Sequence, residues 1–483
     1  MNNFRNAALA VVAICLMIMG TPSLRAEDAK AEGEAATPPV ASRAAEATPV
    51  PPGEVSNRLQ ELQNEMDRIQ GEMANLKKQL GVGSTSATTS SLAVQAAQTE
   101  STPAAPPAQT PAAAPTAPAD QPSALATALG PISVTGFIDG YYEYNLNHPH
   151  AGNCPSFTTS FAAVPSCSTL RLFDGPTDQF SLNMMELTIA KPPDAAASRL
   201  GYDITFGFGN AMNVVNSTDP GGLGFAQYVK EAYLSYLAPV GKGLQIDFGK
   251  FVTTNGAEVI ETTGNWNYSR SLLFNYAIPF YHFGLRAKYN FSDKFNITGL
   301  VVNGWNNIVD NNTGKTLGVS LGWNPNKKWA IVQNYYAGPE EFHDNSDWRQ
   351  LSDTVVTYTA TSKLSLMANY DYGRGDVVPT VARPVAWQGV AAYGRYAFND
   401  RYAFALRGEY FDDRDGFNTG TAQNMYETTF TFERMVAKHL LSRWEYRRDM
   451  SSRPVFVKGL GLINHQDTFT GGLVYSFDVK DTK

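Results

Sequence analysis

An alternation of connection lengths constrains the fold of this chain more than any other feature of its sequence. From Ile132 to Phe477, about sixteen segments of roughly ten residues alternate apolar and polar side chains. The short links between them include Asn399-Asp400, Asn324–Lys328 and Pro239–Gly243. The long links include Leu146–Asp178, Thr254–Pro279 and Asp449–His465. A membrane barrel has short turns at one end and long loops at the other. The sequence therefore predicts an all-β, transmembrane, up-and-down antiparallel β-barrel of about sixteen strands.

Several segments alternate clearly enough to assign each side chain to a face. In Tyr402–Phe411, for example, Phe404 and Leu406 oppose Arg407 and Glu409. A charge on the lipid face near mid-membrane costs about 2–4 kcal/mol, so the charged face is expected to line the lumen. The predicted lumen-wall residues are Asp139, Glu143, His282, Arg286, Lys288, Arg407, Glu409, Arg443, Glu445 and Arg447. A soluble β-sandwich also alternates, but it does not need so many segments with charged inner faces.

The composition agrees with a barrel. Beyond the first two dozen residues, no apolar run approaches the ~20 residues of a membrane helix. A barrel needs no such run, because its backbone hydrogen bonds form between strands. The net charge of −7 argues against a nucleic-acid partner.

The N-terminus has the pattern of an export signal. Arg5 precedes the apolar stretch Ala7–Met19, and cleavage is expected after Ala26, which makes residues 1–26 a signal peptide. The alternative, a membrane anchor, is disfavoured because the apolar run is too short. Residues 27–54 are rich in Ala, Pro and Glu and are expected to form a disordered periplasmic segment.

A heptad pattern follows in residues 55–80. Its apolar seam consists of Val55, Leu59, Leu62, Met66, Ile69, Met73, Leu76 and Leu80. Such a narrow seam favours a coiled coil over the alternative, an amphipathic helix packed on its own barrel. Residues 81–130 form a Pro/Ala/Ser/Thr-rich linker to the barrel, residues 131–483. The coiled coil suggests a homotrimer, and the periplasmic segment is a candidate contact for peptidoglycan.

The cysteines suggest one disulfide. Cys15 lies in the signal peptide, which leaves Cys154 and Cys167 in the first long link. An exported chain passes through an oxidising compartment, which favours a disulfide between them over redox or metal chemistry.

Several motifs of the barrel region resemble the β-barrel porin family of the OmpL-like type. The residues that carry the resemblance are Gly136-Phe-Ile-Asp139, Phe180–Asn183, Glu231–Pro239, Phe248-Gly-Lys250, Glu258-Val-Ile260, Asn265–Ser271, Ala277–Tyr281 and Gly284-Leu-Arg286. The resemblance implies a porin in the outer membrane of a Gram-negative bacterium, surrounded by lipid. It does not imply a substrate.

The third long link, Thr254–Pro279, is a candidate constriction. In general porins the third loop commonly folds into the lumen, which would place Glu258, Glu261 and Arg270 at the narrowest point of the pore. Charges at such a position set selectivity through the field they impose on ions. Alternatively, the two glutamates form salt bridges that pin the loop to the wall, and both roles are compatible.

Enzymatic function is not indicated. The six histidines are scattered, and no catalytic triad or metal-spaced cluster stands out. No catalytic residue, metal or cofactor is therefore predicted. The sequence favours a porin for passive diffusion of small hydrophilic solutes and ions. The alternative is a structural outer-membrane protein that organises the envelope through its coiled coil.

Overall fold

The computed structural model describes residues 132–149, 166–377 and 384–479. The predicted signal peptide (1–26), disordered segment (27–54), coiled coil (55–80) and linker (81–130) lie outside the described residues, as does Cys154. These remain predictions.

Sixteen antiparallel strands close into a single barrel, which confirms the predicted fold. The barrel strands are β1 Ser133–Asn145, β2 Phe180–Lys191, β3 Leu200–Phe208, β4 Val229–Ala238, β5 Leu244–Val252, β6 Tyr281–Ser292, β7 Phe295–Val302, β8 Thr316–Asn326, β9 Trp329–Pro339, β10 Trp348–Thr359, β11 Leu364–Val377, β12 Pro384–Ala397, β13 Tyr402–Asp413, β14 Gln423–Ala437, β15 Leu440–Ser451 and β18 His465–Asp478. Each strand pairs with its neighbour in sequence, except that β15 pairs with β18. The last link contains the small hairpin formed by β16 Phe456–Lys458 and β17 Gly461–Ile463.

The links have the predicted alternation of lengths. Short turns join β4 to β5 through residues 239–243 and β14 to β15 through residues 438–439, whereas residues 146–179 and 253–280 join strands at the other end. We call these ends the turn end and the loop end. One turn is shorter than predicted, because β8 continues to Asn326 and leaves only residues 327–328 as the link. The long links carry α1 Asn210–Asn216, the 3-10 helix Thr262–Gly264 and α2 Leu272–Tyr276.

The outer face is apolar and ends in aromatic rings at both edges. At the turn end, Trp329 stacks on Tyr358 with ring centroids 4.3 Å apart. At the loop end, Tyr142 packs against Phe180 with centroids 5.0 Å apart. Aromatic girdles at both interfaces of an apolar band are typical of barrels in an outer membrane. The described part of the chain contains no helix of the length and apolarity needed to cross a bilayer.

The barrel closes where the first strand meets the last. Gly136 of β1 lies opposite Phe477 of β18. A side chain at Gly136 would collide with the Phe477 ring, since an ideal Cβ would lie 2.6 Å from ring atom Cζ. Glycine at this position therefore allows the terminal aromatic residue to cover the seam.

The first long link contains the predicted disulfide cysteine. Cys167 is buried and disulfide-bonded. If its partner is Cys154, the unreduced mature protein will show no free thiol when it is labelled under denaturing conditions. Reduction is then expected to lower the free energy of unfolding by about 3 kcal/mol, because the unfolded chain loses a closed loop. Two free thiols per unreduced chain would contradict this pairing, and the Cys167→Ser variant provides the single-thiol standard.

Candidate functional site

Residues 253–280, which we call the lumen loop, contact several strands on the inside of the barrel. It leaves β5 and returns to β6 at the loop end, and its two ends meet where the Thr253 N–H donates to the carbonyl of Phe280 at 3.0 Å. All five residues of its helix α2 are buried. The loop therefore turns inward instead of extending into solvent.

The lumen loop crosses to the opposite wall of the barrel. The backbone N–H groups of Tyr268 and Ser269 donate to the two carboxylate oxygens of Glu445 on β15, at 2.6 and 3.0 Å. The Tyr268 hydroxyl donates to Asp139 on β1 at 2.8 Å. Since β15 lies six strands from β5 and seven from β6 in the ring of sixteen, the loop spans the lumen.

Arg407 is the central cation of this contact. Its guanidinium lies 2.7 Å from Glu258 of the lumen loop, 3.0 Å from Glu427 and 3.2 Å from Glu409. It also donates to the carbonyl of Ser269 at 2.7 Å. All four charged side chains are at most 3% exposed. Hydrogen bonds between ionised groups are among the stronger ones in proteins, so this cluster ties the loop firmly to β13 and β14.

Two further arginines of the wall bind loop carbonyls. Arg443 donates to the carbonyl of Thr262 at 2.5 Å and to that of Asn265. Arg447 donates to the carbonyl of Arg270 at 2.6 Å. Arg443 is the fourth residue of β15, counted from the turn end. At about 3.3 Å per residue, the backbone of Arg443 lies roughly 10 Å along the strand from that end, so a side chain from the turn-end half of β15 binds the loop.

A second segment of the chain, residues 166–178, also enters the loop end. Arg171 contacts Glu143 at 3.2 Å and Asp449 at 3.3 Å, and it pairs with Asp174. Burial raises the pKa of Asp174, but Arg171 beside it outweighs that effect and holds the pKa below its usual value. Sequence reasoning missed Arg171 and Asp174 because they lie in a loop, although their i, i+3 spacing is a weak local signal.

The predicted constriction residues occupy defined positions in the loop. Glu258 pairs with Arg407, and Glu261 pairs with Lys230 of β4. Both glutamates therefore form the salt bridges to the wall that the sequence offered as an alternative role. Arg270 instead donates to the carbonyls of Val259, Ile260 and Tyr268 within the loop itself.

The predicted wall residues fall into two groups. Those on β1 and on β13 to β15 are covered by the two inserted segments; they are Asp139, Glu143, Arg407, Glu409, Arg443, Glu445 and Arg447. On β6, Arg286 pairs with Asp247 at 2.9 Å and is partly exposed, and Lys288 is exposed. His282 is buried at the root of the loop, where its ring stacks on Tyr336.

Residues 132–149, 166–377 and 384–479 contain no cluster of three His, Cys, Asp or Glu side chains suited to a metal ion.

A sequence profile of the family described as "Putative beta-barrel porin-2, OmpL-like" matches residues 131–477. Among solved structures, the chain is similar to OmpT of Vibrio cholerae (13% identity, TM-score 0.46, covering 72% of this chain and 97% of that one). It is also similar to the outer membrane channel DcaP of Acinetobacter baumannii (12%, 0.46, 72% and 97%) and to an anion-selective porin from Comamonas acidovorans (9%, 0.48, 72% and 99%). No curated protein sequence matches the chain significantly.

Proposed function

Because the chain belongs to the "Putative beta-barrel porin-2, OmpL-like" family of outer-membrane porins, we propose that it forms a water-filled channel for passive diffusion of small hydrophilic solutes and ions, with the lumen loop as its constriction. The observation that supports a constriction is the set of hydrogen bonds from the lumen loop to β1, β13, β14 and β15. A loop held at this many points keeps a fixed cross-section, as a selective pore requires.

The remaining water path is expected along the wall that the loop leaves open. There Arg286 and Lys288 of β6 lie on the inward face together with Asp247 of the adjacent β5 and Asp203 of β3. Arg286 also lies 4.4 Å from the ring centre of Phe251, which fixes the position of its charge. Charges of both signs along one wall favour small polar solutes and ions over apolar molecules.

The orientation and assembly of the channel form part of the proposal. β1 runs from the turn end to the loop end, so an N-terminal segment in the periplasm places the long loops outside the cell. A coiled coil in residues 55–80 would then be in the periplasm and would join three chains into a homotrimer. The same segment is the part of the chain available for contact with peptidoglycan.

Single-channel recording tests this function directly. The purified full-length oligomer, inserted into planar bilayers, is expected to give stepwise ohmic openings in groups of three, with an ion preference measurable as a reversal potential under a salt gradient. The reason is that each barrel contains its own partly blocked lumen. Folding is checked separately by the β-sheet circular dichroism of the same preparation. A folded barrel that conducts no ions would overturn the proposal.

A further inference from the structure

A cavity of about 220 Å³ lies at the loop end of the barrel, directly above helix α2 of the lumen loop. We call it the mouth cavity. Several long links converge on it: α2 contributes Asn275 and Tyr276, the β7–β8 link contributes Trp305, and the β13–β14 link contributes Phe417 and Asn418. Its volume is below the roughly 300–1,000 Å³ of sites that bury drug-sized ligands, which suits a smaller solute.

Four polar atoms of the residues around this cavity have no hydrogen-bond partner within the described part of the chain. They are Asn275 Oδ1, the Tyr276 hydroxyl, Trp305 Nε1 and Asn418 Nδ2. Asn275 and Tyr276 are more than nine-tenths buried. Buried polar atoms nearly always have a partner, so four such atoms around one cavity indicate that something else binds there.

The cavity is also lined by the aromatic side chains of Trp305 and Phe417. Arg349 lies between Trp305 and Phe417, with its Cζ atom 5.2 and 5.0 Å from the two ring centres. Trp387 supports both rings from behind, stacking on Phe417 at 5.5 Å and meeting the edge of Trp305 at 6.2 Å. These contacts hold the rings in fixed positions, which lowers the entropic cost of binding a solute against them.

The polar atoms indicate the charge of the solute. The two N–H groups need acceptors, the carbonyl oxygen Asn275 Oδ1 needs a donor, and the Tyr276 hydroxyl can act as either. An ionised carboxylate accepts hydrogen bonds but donates none, so it would leave Asn275 Oδ1 unpaired. Both arginines that line the cavity already have carboxylate partners, since Arg171 pairs with Glu143 and Arg349 with Glu341. Hydroxyl groups satisfy all four atoms.

We propose that the mouth cavity is a binding site for a neutral, hydroxylated ring solute of monosaccharide size, which packs against the aromatic side chains and hydrogen-bonds to these four atoms. This site rests on the proposed channel function, because it lies over the entrance to the lumen and would hold the solute before passage.

The test is the binding of D-glucose to the purified full-length oligomer in detergent, measured by isothermal titration calorimetry. The decisive variant is Trp305→Phe, which keeps an aromatic ring but removes the Nε1–H donor together with part of the indole. It is expected to weaken binding about fivefold to tenfold, the effect of one lost hydrogen bond. The matched control is Trp329→Phe at the turn end, which is expected to bind glucose like the wild type.

The other outcomes are equally informative. Binding of benzoate or acetate in place of glucose would overturn the proposal in favour of an anion site, and no saturable binding of any of these solutes would show that the cavity holds only water. Equal weakening by both tryptophan variants would also overturn it. Conductance is recorded on the same preparations. A channel that conducts without binding glucose refutes this inference alone, whereas glucose binding without conductance refutes the channel function.

Discussion

Replacing residues 257–276 by a short Gly-Ser linker is expected to raise the single-channel conductance several-fold while the barrel remains folded. The replaced segment makes the hydrogen bonds that cross the lumen to β1 and β15. A short linker can close the gap, because the two ends of the loop already meet where Thr253 donates to Phe280. The wall arginines that lose their loop partners become hydrated instead. The measurement is conductance in planar bilayers, with β-sheet circular dichroism as the test of folding.

A single residue offers a milder version of the same experiment. An ideal Cβ at Gly472 would lie 2.3 Å from a ring atom of Tyr268, so Gly472→Ala is expected to displace the loop from the wall and raise conductance. The adjacent Gly471 faces the opposite side of the strand, where an ideal Cβ would lie 3.3 Å from Trp444. Gly471→Ala is therefore the matched control and is expected to conduct like the wild type. Unchanged conductance in both the linker variant and Gly472→Ala would show that the lumen loop does not limit the flow of ions.

The two faces of the barrel strands follow from the sequence, but the partners of the inner face do not. Alternate residues of a strand point to opposite sides, so Arg407 and Glu409 can be assigned to the lumen from their spacing alone. The groups that bind Arg407 are Glu258 and Ser269, which lie 149 and 138 positions away in the chain. A pattern of period two contains no information about such contacts, and the sequence therefore left the role of Glu258 open.

Two inward aromatic residues of β1 did indicate that another part of the chain covers the wall. The charged residues on the same face made this less apparent in the sequence. Phe137 and Tyr141 lie on the same face of β1 as Asp139, and both are buried. The ring of Tyr141 packs against that of Tyr268 in the lumen loop, with centroids 5.6 Å apart. A water-filled lumen is lined by polar groups, so aromatic side chains on the charged face of a strand indicate that another part of the chain covers it.

The sequence predicts which strands are present better than it predicts where each strand begins and ends. Asn324-Pro325-Asn326 has the composition of a turn, yet these residues complete β8. The register of β8 against β9 shifts between Trp323 and Asn326. The irregular pairing accommodates Pro325, which has no N–H to donate, and lets the strand continue to the next pair.

Replacing Arg407 by Met is expected to lower the free energy of unfolding by about 3–5 kcal/mol, the usual effect of removing one partner from a buried ion cluster. The substitution leaves Glu258, Glu409 and Glu427 without the cation that they share. The measurement is urea unfolding of the barrel in lipid vesicles, followed by tryptophan fluorescence. Arg448→Met is the control, since Arg448 is 41% exposed and pairs with Asp467 at the rim. Its loss is expected to change stability by no more than ~1 kcal/mol.

The effect of Glu258→Gln on stability is expected to change sign when Arg407 is replaced. In the wild type, Glu258→Gln breaks an ion pair with Arg407 and is expected to destabilise the protein. In the Arg407→Met background the same change removes a buried charge that has lost that cation, so it is expected to stabilise the protein. The reversal arises because the two residues act on each other directly, which a double-mutant cycle measures as a coupling free energy. Equal effects of Glu258→Gln in both backgrounds would mean that the loop and the wall do not interact through this pair. The lumen loop would then be held by its other contacts, which include the hydrogen bond from Tyr268 to Asp139 and the ion pair of Glu261 with Lys230.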